Sequence, residues 1–529
     1  MLFNSFGFIF LFLPLTLTGY YVIYNRLGTR PAFGWLVAAS LIFYGYWNPL
    51  FVLLLLFSIG FNYGVEQRII GAISHQLRYR WYVFGILTNL TVLGYFKYAN
   101  FFLDNLNSLI GSQFHLAGIV LPLGISFFTF QQITLLVDAF VERKKSHYGL
   151  LSHSLFICFF PQLIAGPIVH HKEMMPQFDK NPSDQLWFNL AVGVSLFSIG
   201  LAKKVLIADT MGLSASNLFD NTSFALHEPH LLEAWGGVLS FGFQVYFDFS
   251  GYSDMALGLA FMFGIRLPIN FASPFKAGSM IEFWSRWHIS LSRLILDYVY
   301  TPLALRFMRF SVQLGGGRFK RYLIAITLPS LLTFLLDGFW HGAGWNFILF
   351  GFLHGVALIF NQAWRQSRRS IPYWMGWILT FMVVTFAWVP FRTADFSAMG
   401  EIYQGLLGLN GMTFPHTLVV WVEPVWPDLG VWMGRHSWAD MSGEHLIHLL
   451  VFCPLLLLGV LFLPNSNQWL GPYNPGLSSK GYPATVVPRQ AVHDWHWRPH
   501  PALALGMAAL FVWSVLSLNR VTEFIYFQF

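Results

Sequence analysis

The chain has 529 residues, of which 55% are hydrophobic, 19% aromatic and only 10% charged. Soluble domains carry about 25% charged residues, and a water-soluble protein of this size could not hide so much apolar surface. The net charge of +7, from 31 basic and 24 acidic residues, is scattered between apolar runs. It therefore reads as loop charge that orients membrane helices and not as a nucleic-acid-binding surface.

A helix needs about 20 apolar residues to cross a bilayer. Such runs start near Phe6, Phe33, Leu50, Trp81, Leu151, Trp187, Leu231, Leu291, Tyr322, Asn346, Tyr373, Leu446 and Ala502. A further run, Leu121 to Phe140, is broken by Pro122 and Gly124. The first run, within Met1 to Gly19, lacks a basic leader and a small-residue cleavage site, so it reads as a retained membrane helix. The sum is an all-α polytopic membrane protein with about 11–14 passages, some of them half-helices. Thr393 to Glu444 interrupts the rhythm as an extramembrane loop or short interfacial helices and Asn465 to Pro501 as a second loop, and the chain reads as one integral membrane domain. Basic clusters at Arg26 and Arg30, at Arg68, Arg78 and Arg80, and at Arg143 to Lys145 fall in alternate loops, as do later ones from Arg306 and from Arg365. The positive-inside rule puts these loops in the cytoplasm and the N-terminus outside.

Ionisable residues within apolar runs are costly and mark functional cavities. Three segments concentrate them. In Gln244 to Asp254, the residues Asp248, Ser250, Tyr252 and Asp254 either join neighbouring helices or line a cavity. In Lys276 to Tyr300, the residues Glu282, Arg286, His288, Arg293 and Asp297 recur as if on one broad helical face. Trp284 and Trp287 beside them suit an amphipathic helix lying at the interface, although His288 fits that picture less well. The third segment holds Asp337, Trp340, His341, Asn346 and His354. His341 ends an apolar run just before Gly342 and Gly344, the pattern of a helix broken to line a cavity.

Cys158 and Cys453 sit in apolar runs and form no metal or redox pair, so they read as small hydrophobes. Neither a Gly-x-Ser-x-Gly elbow nor a phosphate-binding glycine loop is present. His170, His171 and Glu173, and separately His493, His496 and His500, cluster without a zinc-ligand spacing. Both read as ordinary loops, and no metal is expected.

Five blocks occur in order: Gly124 to Gln131 (GISFFTFQ), Phe160 to Ile168 (FPQLIAGPI), Phe247 to Asp254 (FDFSGYSD), Trp284 to His288 (WSRWH) and Gly338 to Gly342 (GFWHG). In these the chain resembles the membrane-bound O-acyltransferase family, and within it the bacterial branch of alginate O-acetyltransferase membrane subunits. The likeness runs from about Leu121 to Phe391.

The resemblance implies a core of membrane helices around a transmembrane tunnel. It puts the family's histidine-before-glycine on His341 and its second histidine on His288. The lining would come from Asp248, Ser250, Tyr252, Asp254, Trp284, Arg286, Trp287, Asp337, Trp340 and Asn346. It further implies acetyl-CoA as donor and no permanently bound cofactor. The acyl group would pass across a bacterial inner membrane to a periplasmic or membrane-tethered esterase-like (SGNH-type) partner near a polysaccharide synthase complex. Alginate, cellulose, another exopolysaccharide or peptidoglycan could be the acceptor, and D-alanyl transfer to teichoic acid is the nearest variant. A transporter without chemistry would look similar in its broken helices and buried charges. An anchoring scaffold for a periplasmic synthase is the third reading.

Overall fold

A computed structural model describes residues 1–116, 118–142, 148–220, 228–412, 414–434, 437–438, 451–477, 497–518 and 524–525. Arg143, Lys144, Lys145, His493 and His496 lie outside them. The described chain is almost wholly helical, and seven helices are long and apolar enough to cross a membrane. These are Phe8–Leu27, Pro49–Gly71, Ile125–Glu142, Pro182–Phe219, Arg318–His341, Trp345–Gln366 and Tyr373–Arg392. Shorter apolar helices and the 32-residue Leu231–Met262, which carries Asp248 and Asp254, accompany them. The run expected from Leu121 starts as a helix only at Ile125. Gly124, at φ +72°, forms the turn before it.

The chain divides into two compact units. The first comprises Met1–Ala202, Ser250–Asn270 and Ser466–Phe529. Its core is aromatic: Phe8, Phe12, Phe43 and Phe160 meet with ring centroids 5.4–6.1 Å apart. Polar side chains on neighbouring helices can pair with each other there, as lipid provides no partner. Asn62 and Asn89 exchange amide hydrogen bonds of 3.2 and 2.7 Å between their helices. Glycines allow Leu186–Ala202 and the second half of Leu231–Met262 to touch along their backbones. A Cβ on Gly200 would stand 2.5 Å from the Gly251 carbonyl oxygen, and one on Gly193 2.7 Å from that of Gly258. Small residues at such spacing are the means by which membrane helices gain close packing.

The second unit comprises Lys203–Phe249 and Phe271–Asn465. Arg318–His341 and Trp345–Gln366 form an antiparallel hairpin, with Tyr373–Arg392 packed on its second arm. A Cβ on Gly351 would overlap the Phe334 carbonyl oxygen, and one on Gly338 that of Phe347, so glycine permits this closeness. Pro390 lies inside Tyr373–Arg392 and has no N–H for the Phe386 carbonyl one turn back. The Tyr403 hydroxyl donates to that carbonyl at 3.0 Å instead. Tyr403 belongs to Phe396–Leu406, the packed helix that opens the stretch after Thr393. Cys158 and Cys453, one in each unit, are buried free thiols.

One expectation fails here. Lys276 to Tyr300 is not a single helix at an interface. A helix Met280–Trp284 ends, His288 takes a left-handed conformation, and a new helix starts at Ile289. Phe283, Arg286, Trp287, His288 and Leu291 are all buried. Two of the charges that looked like one exposed face, Arg286 and Glu282, are instead partners in a local clamp.

Candidate active site

His341 is the last residue of Arg318–His341, and Gly342 continues in extended conformation at φ −162°. The Phe347 ring folds over Gly342, where a Cβ would collide with it. The sharp turn into Trp345–Gln366 thus needs the glycine and leaves the imidazole at the helix end. His341 is 5% exposed and packs on Trp340, Phe350 and Phe391 at 4.9, 5.7 and 5.3 Å between ring centroids.

Phe391 is held in turn by Asn346. Its side-chain amide donates to the neighbouring Pro390 carbonyl at 3.0 Å, capping the end of Tyr373–Arg392. Asn346 is therefore a strut beside the histidine.

His288 is 1% exposed, at φ +42° and ψ +54°. Its ring lies 4.7 Å from Phe249 and 6.4 Å from Trp340. The structure thus sets both histidines against one indole. Burial lowers the His288 imidazole from 6.5 to about 3, which keeps it neutral near pH 7.

The backbone around His288 is fixed by Arg286. Its guanidinium binds Glu282 Oε1 through Nε and Nη2 at 3.1 and 2.6 Å, and Nη1 donates to the Ala272 carbonyl at 3.0 Å. The Ala272 amide returns a bond to the Arg286 carbonyl, also at 3.0 Å. Such charge-assisted bonds are the strong kind. Trp287, stacked on Phe283 and close to Phe271 and Trp388, is core packing.

Asp337 lies one helical turn before His341 on the same face and is 3% exposed. Neither of its carboxylate oxygens has a hydrogen-bond partner among the described residues. His354 and Trp284, with ring centroids 5.2 Å apart, extend the aromatic wall through Phe350.

Other residues singled out above have partners of their own. Asp248 is bound to Lys204 Nζ at 2.7 Å, and Lys204 reaches Asp209 at 2.8 Å. Lys204, 2% exposed, follows Lys203 in a segment far from Asp248 in sequence, so no local pattern marks the ion pair. Ser250, Tyr252 and Asp254 belong to the first unit. There Tyr252 packs on Phe3 and Phe524, and Asp254 accepts from the Ser466 hydroxyl at 2.6 Å.

The family model of the membrane-bound O-acyltransferases matches residues 76–394, a stretch that holds both histidines. The chain belongs to that family. It is 42% identical to the peptidoglycan O-acetyltransferase of Helicobacter pylori over 79% of this chain and 81% of that one. It is 33% identical to the probable alginate O-acetylase of Azotobacter vinelandii over the full length of both. To the teichoic acid D-alanyltransferase of Streptococcus thermophilus it is 32% identical, over 47% of this chain and 59% of that one. This membrane-bound O-acyltransferase is accordingly a multi-pass membrane enzyme that transfers acyl groups to hydroxyls.

Proposed function

We propose that the enzyme moves acetyl groups from cytoplasmic acetyl-CoA across a bacterial inner membrane for O-acetylation of an extracytoplasmic polysaccharide, with His341 and His288 as its chemical groups. One observation carries the assignment of residues: two buried histidines from distant segments of one unit pack against Trp340.

His341 Nε2 or Nδ1 takes the proton of the acceptor hydroxyl as its oxygen attacks the thioester carbonyl. The neutral His288 imidazole donates its N–H to the carbonyl oxygen, where negative charge develops. The tetrahedral adduct then expels the thiolate of coenzyme A, which recovers the proton from His341. Asp337, one turn below, gives the transient imidazolium a nearby carboxyl group. Trp284 and Trp340 exclude water from the reacting atoms.

The alternation of basic loops supports a cytoplasmic donor side and an N-terminus outside. A periplasmic or membrane-tethered esterase-like partner beside the polymer synthase would complete delivery. The acetyl group and an exopolysaccharide or peptidoglycan acceptor are favoured by the two acetylating relatives, whose similarity spans most of this chain. D-alanyl transfer is the second reading, with similarity over about half of the chain.

The test is purified enzyme in liposomes supplied with radiolabelled acetyl-CoA. His341→Ala protein that melts like the parent should lose transfer by at least about 100-fold, the scale of a lost general base. Full transfer by that variant would remove His341 from the chemistry. Transfer from a D-alanyl thioester but not from acetyl-CoA would instead establish the second reading.

A further inference from the structure

A second group of ionisable side chains lies in the first unit, with no part in the chemistry above. Asp138 is on the last turn of Ile125–Glu142, and His170 and His171 open the short helix His171–Met174. Asp138 Oδ2 is 2.9 Å from His170 Nε2 and 3.5 Å from His171 Nδ1, and the three ligand atoms all lie within 4.8 Å of one another. The His171 nitrogen is buried and makes no hydrogen bond among the described residues. The side chains are 13–20% exposed, so the group is not sealed inside the unit.

We propose that Asp138, His170 and His171 bind a divalent transition-metal ion of zinc type. Nitrogen and oxygen ligands stand about 2.0–2.2 Å from Zn²⁺, which puts tetrahedral ligand atoms about 3.4 Å apart. The two measured separations bracket that value. A metal ion also satisfies the buried His171 nitrogen, and a set of two histidines and one carboxylate leaves a position for water.

Two features set the affinity. Lys172 Nζ lies 3.7 Å from Asp138 Oδ2 and also pairs with Glu142. It is the cation a metal must displace, and at 45% exposure it has room to swing away. His170 Nδ1 now accepts the Lys172 amide at 3.2 Å. Metal on Nε2 requires the proton on Nδ1 and gives up that exposed bond. Binding therefore moves the ring proton of His170 from Nε2 to Nδ1 with no net release.

The experiment uses the full-length enzyme in detergent, stripped with a chelator and titrated with Co²⁺ and then Zn²⁺. The expected result is one Co²⁺ per chain with the strong visible absorption of a four-coordinate site, displaced by Zn²⁺. His171→Ala and Asp138→Asn should bind at least about tenfold more weakly. Lys172→Met, which removes a nearby positive charge, should bind about tenfold more tightly. Melting curves identify any variant that fails to fold, and Lys172→Met, altering an exposed side chain, keeps the test open if both ligand variants fail. Equal binding by parent, His171→Ala and Lys172→Met would overturn the site. The readout is metal content, so it stands apart from any failure of the acyl-transfer assignment.

Discussion

His288 shows how much one position asks of its residue. At φ +42° a side chain with a Cβ pays about 1–2 kcal/mol against the right-handed alternative, and Asn and His bear this better than most. His288→Asn should therefore fold nearly as well as the parent while losing most acyl transfer, whereas His288→Val should also melt earlier. The same histidine gives a pH dependence. Its imidazole sits at about 3 when folded and near 6.5 when unfolded, so below 6.5 the unfolded chain takes up the proton first. The stability that His288 contributes is complete above pH 6.5 and falls away as pH drops towards 3. Denaturant melts at pH 7.5 and 5 should differ more for the parent than for His288→Asn. Sequence made the residue type legible through Trp284 to His288, but nothing in it marks a left-handed backbone at a non-glycine. That is why Arg286 reads as an interfacial charge there and proves to be a clamp on Ala272 and Glu282.

Among the elements, the hairpin that ends in His341 depends on glycines as spacers. Gly351→Ala would drive a methyl into the Phe334 carbonyl, and overpacking of this kind costs about 1–3 kcal/mol. The expected outcome is a lower melting temperature in detergent, together with reduced transfer as the turn at Gly342 shifts. A parent-like melt would show that the two arms can separate freely. This hairpin was largely legible: the apolar runs, the break at Gly342 and Gly344, and the restart at Trp345 all follow from composition. The struts were not. Asn346 donating to Pro390, and Tyr403 replacing the donor that Pro390 lacks, join residues far apart in sequence. No local pattern announces them.

At the scale of the whole molecule, burial decides what each charge is for. Lys204 sits between Asp209 and Asp248 with almost no exposure, and removing one partner of such a group strands the others. Lys204→Met should cost about 3–5 kcal/mol, and adding Asp248→Leu should recover much of it. A double-mutant cycle by denaturant unfolding measures this, and additive losses would show that the contact contributes nothing. Asp248 was visible in sequence as a costly residue, but its partner Lys204 lies in a distant segment that no local pattern links to it. The metal-type cluster was half visible in the same way, His170 and His171 as a pair and Asp138 only after folding. The glycine ladder of the first unit carries a different consequence. Gly193 faces Gly258 and Gly200 faces Gly251, two contacts separated by seven residues on each antiparallel helix. Sliding one helix along the other by any smaller step would push a side chain into a carbonyl oxygen, so the pair has no continuous path for shear. Whatever moves during the reaction, these two segments travel together as a single bar. Spin labels near Gly193 and Gly258 should keep one unchanging distance through the reaction cycle.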